Sequence, residues 1–314
     1  AANPVWVDKT GNGHDIQLKH FSWKGMCGVG GYVQDYNDFR NNATVDKVRI
    51  DEQSSNSIKV TLLTSGMGHV IYIPKNIYQF NKSYFIKISS EGYDEGDMAL
   101  SFYAPSTSTA TTVKVPLNPN GITEIPAIKE DDYLAVYLFN AAGKVGSITI
   151  EQLPLYPGAL VFDGVDDYGT CDNFPILTKE KGYTVVALRQ WISMGEGISG
   201  LVSNVKNWFN DGAFVLEYNS NNATNKFVNR PVSFGNVNIE MDLPNNFTYQ
   251  TSKSYKGVPI TTGSFKGTNS LFVGKLNNII GNCSNVAIWE LVFLDHDATE
   301  EELTKIKDYF VKAY

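Results

Sequence analysis

The sequence is poor in cysteine and has no long apolar run. Its 314 residues include only three cysteines, Cys27, Cys171 and Cys283, which are widely spaced and form no Cys-x-x-Cys pair. This low, odd count argues against a disulfide scaffold and indicates buried or half-buried thiols. No apolar stretch approaches the roughly 18 residues that a transmembrane helix needs, so no membrane span is predicted.

Basic charge is also scarce. The net charge is -7, with 26 Lys and Arg against 33 Asp and Glu. Binding to nucleic acid depends on clustered Lys and Arg that neutralise phosphates, so no nucleic-acid partner is predicted. The four histidines, His14, His20, His69 and His296, lie in separate segments. The sequence contains neither a zinc-ligand spacing nor a Gly-x-Ser-x-Gly nucleophile motif.

What the sequence does contain is a succession of short strand patterns separated by Gly, Asn, Pro and Ser. They are rich in β-branched and aromatic side chains, as in residues 58–63, 84–88, 133–139, 183–188 and 286–293. Strands at this spacing leave little room for crossover helices, which argues against a parallel α/β fold. The pattern predicts an all-β fold of the sandwich or jelly-roll type.

One helix is predicted, at the C-terminal end of the sequence. Thr299 and Glu302 form a capping-box pattern, in which each side chain accepts a hydrogen bond from the backbone amide of the other residue. Leu303, Ile306 and Phe310 then recur at helical spacing. This spacing gives the helix one apolar face that packs on the sheets, so its role is structural.

Several motifs, taken in order, resemble those of the laminin-G-like, concanavalin A-like jelly rolls. Residues 6–18 (WVDKTGNGHDIQL) resemble the D-x-S-G-N-G-x-D-x-x-L opening of that family, and residues 162–168 (FDGVDDY) resemble its F-D-G-x-D-D-Y strand and turn. Residues 183–188 and the closing segments 272–274 and 299–303 fit the later strands and the final helix. The family resemblance implies a concanavalin A-like jelly-roll sandwich.

The F-D-G motif comes much later in this chain than the resemblance leads one to expect. The matched regions are residues 1–45 and 157–314, and the segment 46–156 between them has a full set of strands of its own. We therefore expect a discontinuous jelly roll interrupted by an inserted β-sandwich, which resembles carbohydrate-binding modules. The whole arrangement resembles surface or virion proteins of gut Bacteroidetes and their phages, which implies a secreted, cell-surface or virion-associated location.

A candidate Ca²⁺ site lies at the turn of the F-D-G motif. Asp163, Asp166 and Asp167 offer the oxygen ligands that Ca²⁺ prefers, and Asp8 and Asp15 would add to them if the two turns meet. The alternative is that these side chains cap tight turns through hydrogen bonds to the backbone. Both alternatives remain open for this sequence.

Aromatic side chains are the candidate sugar-binding groups. The chain has 17 Tyr, 17 Phe and 5 Trp, and an aromatic ring can stack on the C–H face of a sugar. The candidates lie beside Gly-rich loops, in a polar run or at loop ends of the insert, and they are Trp23, Tyr32, Tyr93, Tyr103, Trp191 and Trp208. For each of them, packing in the core is the alternative interpretation.

These observations predict a non-catalytic carbohydrate-binding or adhesion module, with a glycan or polysaccharide as its partner. The first alternative is a glycoside hydrolase or lyase with carboxylates from separate strands. Hydrolases of related fold carry Glu-x-Asp-x-Glu on one strand, whereas Glu130 with Asp132 and Glu240 with Asp242 each lack the third member. The second alternative is a purely structural or adhesive protein. Without a recognisable catalytic constellation, an enzyme is the less favoured interpretation.

Overall fold

The structure is a computed structural model. It describes residues 4–42, 46–177, 181–193, 198–204, 214–219, 226–231, 239–240, 247–251, 254–255, 258–259, 268–276 and 283–314. The first strands in chain order are β1 (Val5–Trp6), β2 (Ile16–Lys19), β3 (Gly28–Val29), β4 (Arg40–Asn41), β5 (Val48–Gln53), β6 (Ser57–Leu62), β7 (Gly68–Pro74), β8 (Tyr84–Glu91), β9 (Met98–Tyr103), β10 (Val113–Pro116), β11 (Ile122–Ile125), β12 (Ala135–Asn140) and β13 (Gly146–Gln152).

The later strands are β14 (Leu160–Asp163), β15 (Tyr168–Cys171), β16 (Thr184–Trp191), β17 (Ile198–Ser203), β18 (Phe214–Asn219), β19 (Lys226–Pro231), β20 (Ile239–Glu240), β21 (Phe247–Thr251), β22 (Ser254–Tyr255), β23 (Val258–Pro259), β24 (Leu271–Val273) and β25 (Asn285–Leu294). Two short 3-10 helices span Tyr36–Asp38 and Lys75–Ile77, and one α-helix, α1, spans Glu300–Ala313. Every pairing among the described strands is antiparallel. The predicted all-β fold class is confirmed.

The chain divides into two compact units. Unit 1 comprises Ala1–Ser22, Cys27–Gly30 and Gly158–Tyr314, and unit 2 comprises Trp23–Met26 and Gly31–Pro157. The sequence placed the start of the insert at residue 46, whereas the segment from Gly31 onward packs with unit 2. Its strand β4 pairs with β7, and Tyr36 and Phe39 are 1% and 5% exposed in the core of unit 2.

Unit 2 is built from two five-stranded sheets. The β12 sheet has the order β10-β9-β12-β7-β4, and the β13 sheet has the order β11-β8-β13-β6-β5. Apolar side chains from both sheets form one core, with Ile71 and Leu138 from the first sheet and Val60 and Ile86 from the second. Two sheets that share one apolar core make a β-sandwich.

Unit 1 also has two main sheets. One has eight strands, in the order β1-β2-β15-β24-β17-β18-β19-β20, and the other has five, in the order β21-β16-β25-β14-β3. Leu18 and Val273 from the first sheet and Phe162 and Ile288 from the second meet in a common core. The small β22–β23 ribbon also belongs to this unit.

Helix α1 ends unit 1 and confirms the predicted C-terminal helix. Thr299 is the N-cap residue and forms both hydrogen bonds of the capping box with Glu302. Leu303 and Phe310 are buried and pack with Val186, on the face of β16 that points away from the unit 1 core. Among the described residues, no helix combines the length and the apolar composition that crossing a membrane requires.

Candidate functional site

The outer face of the β12 sheet in unit 2 carries a cluster of aromatic side chains, which we call the aromatic face. Its members come from three adjacent strands and are His69, Tyr72, Tyr103, Tyr137 and Phe139. The inward positions of the same strands are apolar, as with Ile73 on β7 and Leu138 on β12. Since side chains alternate along a strand, filling the core with one set leaves the other set on the outer face.

The strand register aligns one row of side chains across the whole β12 sheet. Tyr137 on β12 lies opposite Tyr72 on β7 and Ser101 on β9. Tyr72 in turn lies opposite Arg40 on β4, and Ser101 lies opposite Lys114 on β10. Cross-strand partners point to the same face, so this row runs from Arg40 through two tyrosines and a serine to Lys114.

A β-bulge brings His69 onto the aromatic face. His69 and Tyr72 are three residues apart on β7, which in a regular strand would put them on opposite faces. The register shifts here: Leu138 pairs with Ile71 and Phe139 pairs with His69, leaving Val70 as the extra residue. His69 therefore stands beside Phe139 and Tyr137 instead of in the core.

The rings of the aromatic face are in direct contact. The His69 ring centroid lies 4.4 Å from that of Tyr137 and 5.4 Å from that of Tyr103, and the Tyr72 and Tyr137 centroids are 5.6 Å apart. Burial lowers the pKa of His69, so its imidazole is neutral at pH 7. Burial also raises the pKa of Tyr137, which keeps its phenol protonated. The face thus offers neutral hydrogen-bonding groups.

The two outer faces of unit 2 differ in how they are covered. On the β13 sheet, β8 alternates between buried and exposed residues, with Phe85 48% exposed among polar neighbours. On the β12 sheet, β9 is buried at every position except Tyr103, which is partly exposed. Within the aromatic face, Phe139 is buried, and the other four side chains are half-buried. A half-buried apolar surface of this kind is typical of a binding site.

Unit 1 contains a cavity of about 530 Å³ between the opening loop and β25. Trp6, Phe174 and Phe293 supply its aromatic lining, and His14 and Glu290 are among its polar groups. Its carboxylates are already engaged. Glu290 accepts hydrogen bonds from Lys9 Nζ and from the hydroxyl of Tyr314, both at 2.8 Å.

The opening loop that lines this cavity is held by its own aspartates. Asp8 accepts hydrogen bonds from the amide and hydroxyl of Thr10 and from the amide of His14, while Asp15 accepts one from the amide of Asp8. The bonds from Thr10 hold the pKa of Asp8 below its ordinary value. Asp8 and Asp15 therefore stabilise a turn, as in the alternative interpretation of these residues.

The turn after β14 holds the other predicted metal-binding aspartates. Ligand atoms of Asp163, Asp167 and Cys27 lie within 4.8 Å of one another, the one such group found among the described residues. Asp167 is fully buried, and burial raises its pKa to about 6. It accepts a hydrogen bond from the amide of Asp163 at 3.0 Å. Asp166 is outside the group, exposed, with a carboxylate oxygen 3.7 Å from Nδ1 of His20.

The side chains of this group differ from the ligands that Ca²⁺ prefers. That ion takes six to eight oxygen ligands, but the group has a thiol sulfur as one of its three donors. Asp8, Asp15 and Asp166 are not members of the group. The cysteine of the group was not connected with this turn by the sequence, because Cys27 lies 136 residues before Asp163.

The predicted sugar-binding aromatics lie in several places. Tyr103 belongs to the aromatic face. Tyr93 is 6% exposed in the core of unit 2, where its hydroxyl donates to the carbonyl of Lys144, so its ring has no open side. Trp191 packs against the core of unit 1, and Trp208 lies outside the described residues.

The two candidates from the first Gly-rich loop do not join the aromatic face. Trp23 is 42% exposed and has a positive φ of 57°, and Tyr32 is half-buried, with its amide bound to the carbonyl of Gly25. Sequence reasoning missed Tyr72, Tyr137 and His69. The sequence did contain a signal for the two tyrosines. Each lies between two aliphatic residues of a strand, and alternation along the strand puts a tyrosine on the outer face when its neighbours face the core.

Comparison with known proteins adds no relative. No protein-family model matches this chain, and no curated protein matches it significantly.

Proposed function

We propose that this protein is a non-catalytic carbohydrate-binding module and that the aromatic face of unit 2 is its glycan-binding site. The observation that carries the proposal is the row of contacting, half-buried rings across one outer face of the sandwich. Such rings present flat apolar surfaces on which the C–H face of a sugar packs.

Polar groups beside the rings suit the hydroxyls of a sugar. The phenols of Tyr72, Tyr103 and Tyr137 both donate and accept hydrogen bonds, and neutral His69 does the same through its two ring nitrogens. Nε2 of His69 is buried and has no hydrogen-bond partner within the described residues. Because this nitrogen is covered, a sugar would reach it only after neighbouring side chains move, and the phenols are the first groups available to a ligand.

We further propose that unit 1 is a laminin-G-like, concanavalin A-like jelly roll and that the protein acts at a secreted, cell-surface or virion-associated location. The positions of the motifs support this. The F-D-G segment ends β14 and forms the turn before β15, and the capping box begins α1. The location rests on the family resemblance alone.

Catalysis is the weaker candidate. A retaining glycosidase needs two carboxyls about 5 Å apart across the sugar, one of them held protonated by a raised pKa. In the unit 1 cavity, Glu290 is paired with Lys9, and the pKa of Asp8 is lowered by Thr10. Asp167 has a raised pKa, but it is fully buried and does not line the cavity.

A glycan array followed by isothermal titration calorimetry tests the proposal. We expect the full chain to bind a subset of glycans and Tyr72→Ala together with Tyr137→Ala to weaken binding about tenfold or more, because each removes a stacking ring. Phe85→Ala is the matched control, since it deletes an exposed ring from the other sheet of the same unit. Circular dichroism and thermal unfolding verify that each variant is folded.

Two results would contradict the proposal. If the protein bound no glycan on a broad array, carbohydrate binding would be refuted, and the structural or adhesive alternative would remain. Binding that is lost equally in Phe85→Ala and in the double variant would show that the aromatic face is not the site.

A further inference from the structure

We propose that the aromatic face binds an acidic glycan, a chain whose sugars carry carboxylate or sulfate groups. This inference rests on the proposed function and adds the charge of the ligand. Its basis is the charge pattern of the β12 sheet, which differs from that of the rest of the chain.

The strands of the β12 sheet contain no acidic residue. Strands β4, β7, β9, β10 and β12, all within the described part of the chain, carry the cations Arg40 and Lys114 and no Asp or Glu. The β13 sheet of the same unit is mixed, with both signs on β5 and β8, for example. In a chain of net charge -7, a sheet without carboxylates is a local basic surface.

The two permanent cations stand at opposite ends of the row that crosses the sheet. Arg40 and Lys114 are exposed, and neither forms an ion pair among the described residues. Four strand-to-strand intervals separate their backbones, which is about 19 Å at the usual spacing of neighbouring strands. The two tyrosines lie between them, so an extended chain along the row would meet a cation, stacked rings and a second cation.

Lys114 is already directed over the face. Its Nζ lies 3.9 Å from the centroid of the Phe139 ring. The cross-strand neighbour of Lys114 is Ser101, which is fully buried, so the ammonium is the group at this end of the row that a ligand can reach. An anion on this face would accept a charge-assisted hydrogen bond from Nζ of Lys114.

Two carboxylates at the margins of the sheet have partners within unit 2, and one of them is neutralised by a lysine. Asp97, just before β9, is bound to Lys144 with 2.6 Å between Nζ and Oδ2. Asp132, before β12, accepts hydrogen bonds from the amide and hydroxyl of Thr109. Both interactions lower the pKa of the carboxyl concerned.

An acidic glycan fits this face better than single-stranded nucleic acid does. A nucleic-acid strand presents a phosphate at every nucleotide and is bound by many clustered Lys and Arg. Here two cations lie at the ends of a row whose centre is made of two tyrosines and a buried serine. Hydroxyl partners along the centre and acidic groups at intervals match a sugar chain.

Calorimetry on the full chain tests the inference with matched ligands. The probes are a short oligogalacturonide, its carboxyl-reduced neutral counterpart, a sulfated heparin oligosaccharide and an oligothymidylate. We expect the oligogalacturonide or the heparin oligosaccharide to bind at least about fivefold tighter than the neutral sugar and to weaken with added salt, as exposed charge pairs do. Binding of the oligogalacturonide would show that carboxylates are sufficient, whereas binding of the heparin oligosaccharide alone, which carries both groups, would show that sulfate is required.

Charge-matched variants locate the effect. Arg40→Gln with Lys114→Gln should abolish the preference for the acidic ligand while retaining the affinity for the neutral one. Lys59→Gln with Lys87→Gln removes the same charge from strands β6 and β8 of the β13 sheet and should leave the preference intact. Thermal unfolding verifies that both double variants are folded.

The outcomes separate this inference from the proposed function. Equal affinity for oligogalacturonide, heparin oligosaccharide and neutral sugar would refute the acidic ligand and leave carbohydrate binding standing. If both double variants lost the preference for the acidic ligand to the same extent, the preference would depend on the net charge of the protein, and the aromatic face would be refuted as its site. Tighter binding of oligothymidylate would assign the face to nucleic acid. Absence of binding to any glycan would refute both proposals.

Discussion

Replacement of Gln152 by methionine should detach the segment that carries Arg40 from the rest of unit 2. Gln152 ends β13 and is 1% exposed. Its side-chain oxygen accepts hydrogen bonds from the amides of Val33 and Gln34 at 2.7 and 3.0 Å, and its side-chain nitrogen donates to the carbonyl of Gln34 at 2.9 Å. One side chain therefore satisfies three backbone groups of a segment more than a hundred residues away.

The magnitude follows from the groups that lose a partner. Gln152→Met keeps the length of the side chain and leaves two buried N–H groups and one buried C=O group unpaired. A buried polar group without a partner costs about 1–3 kcal/mol, so we expect a loss of about 3–5 kcal/mol after partial relaxation. Gln53→Met is the matched control. Gln53 is exposed and donates to the carbonyls of Tyr36 and Phe39 in the same segment, and the carbonyl of Tyr36 keeps a second bond from the amide of Phe39. The cost of Gln53→Met should therefore be smaller, about 1 kcal/mol.

Hydrogen exchange measured by mass spectrometry is the suitable assay, because it reports on residues 31–42 separately from unit 1. We expect Gln152→Met to increase exchange strongly in this segment and Gln53→Met to change it little. Similar exchange in the two variants would refute the reasoning that buried pairing, and not the number of hydrogen bonds, holds the segment in unit 2.

Two further predictions concern unit 1. Asp167→Ala should destabilise the protein by about 1–2 kcal/mol in thermal unfolding, because it removes a fully buried carboxylate and the hydrogen bond that this group accepts from the half-buried residue Asp163. Asp166 is exposed, so Asp166→Ala should change stability by less than about 0.5 kcal/mol, and equal effects of the two substitutions would contradict this. Around α1, the hydrogen bond that His296 donates to Glu302 raises the pKa of His296 above 6.5. The bonds that Glu302 accepts from Thr299 and His296 lower its own pKa from 4.5 to about 2. The histidine contributes stability that is lost as pH rises through its raised pKa, and the glutamate contributes stability that is lost as pH falls below 4.5 towards 2. The difference in melting temperature between the wild type and Glu302→Gln, which keeps a neutral capping box, should therefore be largest between pH 4.5 and 6.5, and a flat difference would count against it.

Local patterns were sufficient to predict the elements that depend on neighbouring residues. The short run of β-branched and aromatic residues at 84–88 predicts a strand, and the structure has this strand as β8, with Tyr84, Ile86 and Ile88 in the core. The capping box and the apolar spacing of α1 are equally local. In both cases, the signal and the structure it predicts lie within one or two turns or a few strand residues.

Features that depend on distant pairing could not be predicted. Val33 meets Gln152 across 119 residues, and nothing in the polar side chain of a glutamine specifies that partner. The same holds for Cys27 and Asp167, which come together only when β3 pairs with β14. The bulge at Val70 is a property of the β7–β12 register, so the position of His69 on the outer face required the structure.

The sugar-binding prediction was directed to loops because loops commonly carry functional residues. In this protein, the stronger candidate lies on strands, where each aromatic residue occupies a position that could equally hold a threonine or a lysine. The β13 sheet has such polar residues at its outward positions, for example Lys87 and Thr149, and it closes the same sandwich. The aromatic residues on the β12 sheet are thus not required to build the fold.

This difference between the outer faces of the two sheets supports the functional proposal. A contiguous apolar surface at a sheet face carries a risk of aggregation, and a sandwich that only needs stability avoids it with polar outward residues. Contacts among the rings of Tyr72, Tyr137 and His69 do contribute some packing energy to the folded state. If packing were their whole role, Tyr72→Ala and Tyr137→Ala would change stability and leave ligand binding unchanged. If they form the binding site, affinity should fall by more than the change in stability accounts for, and Arg40 and Lys114 should then determine which glycans are bound.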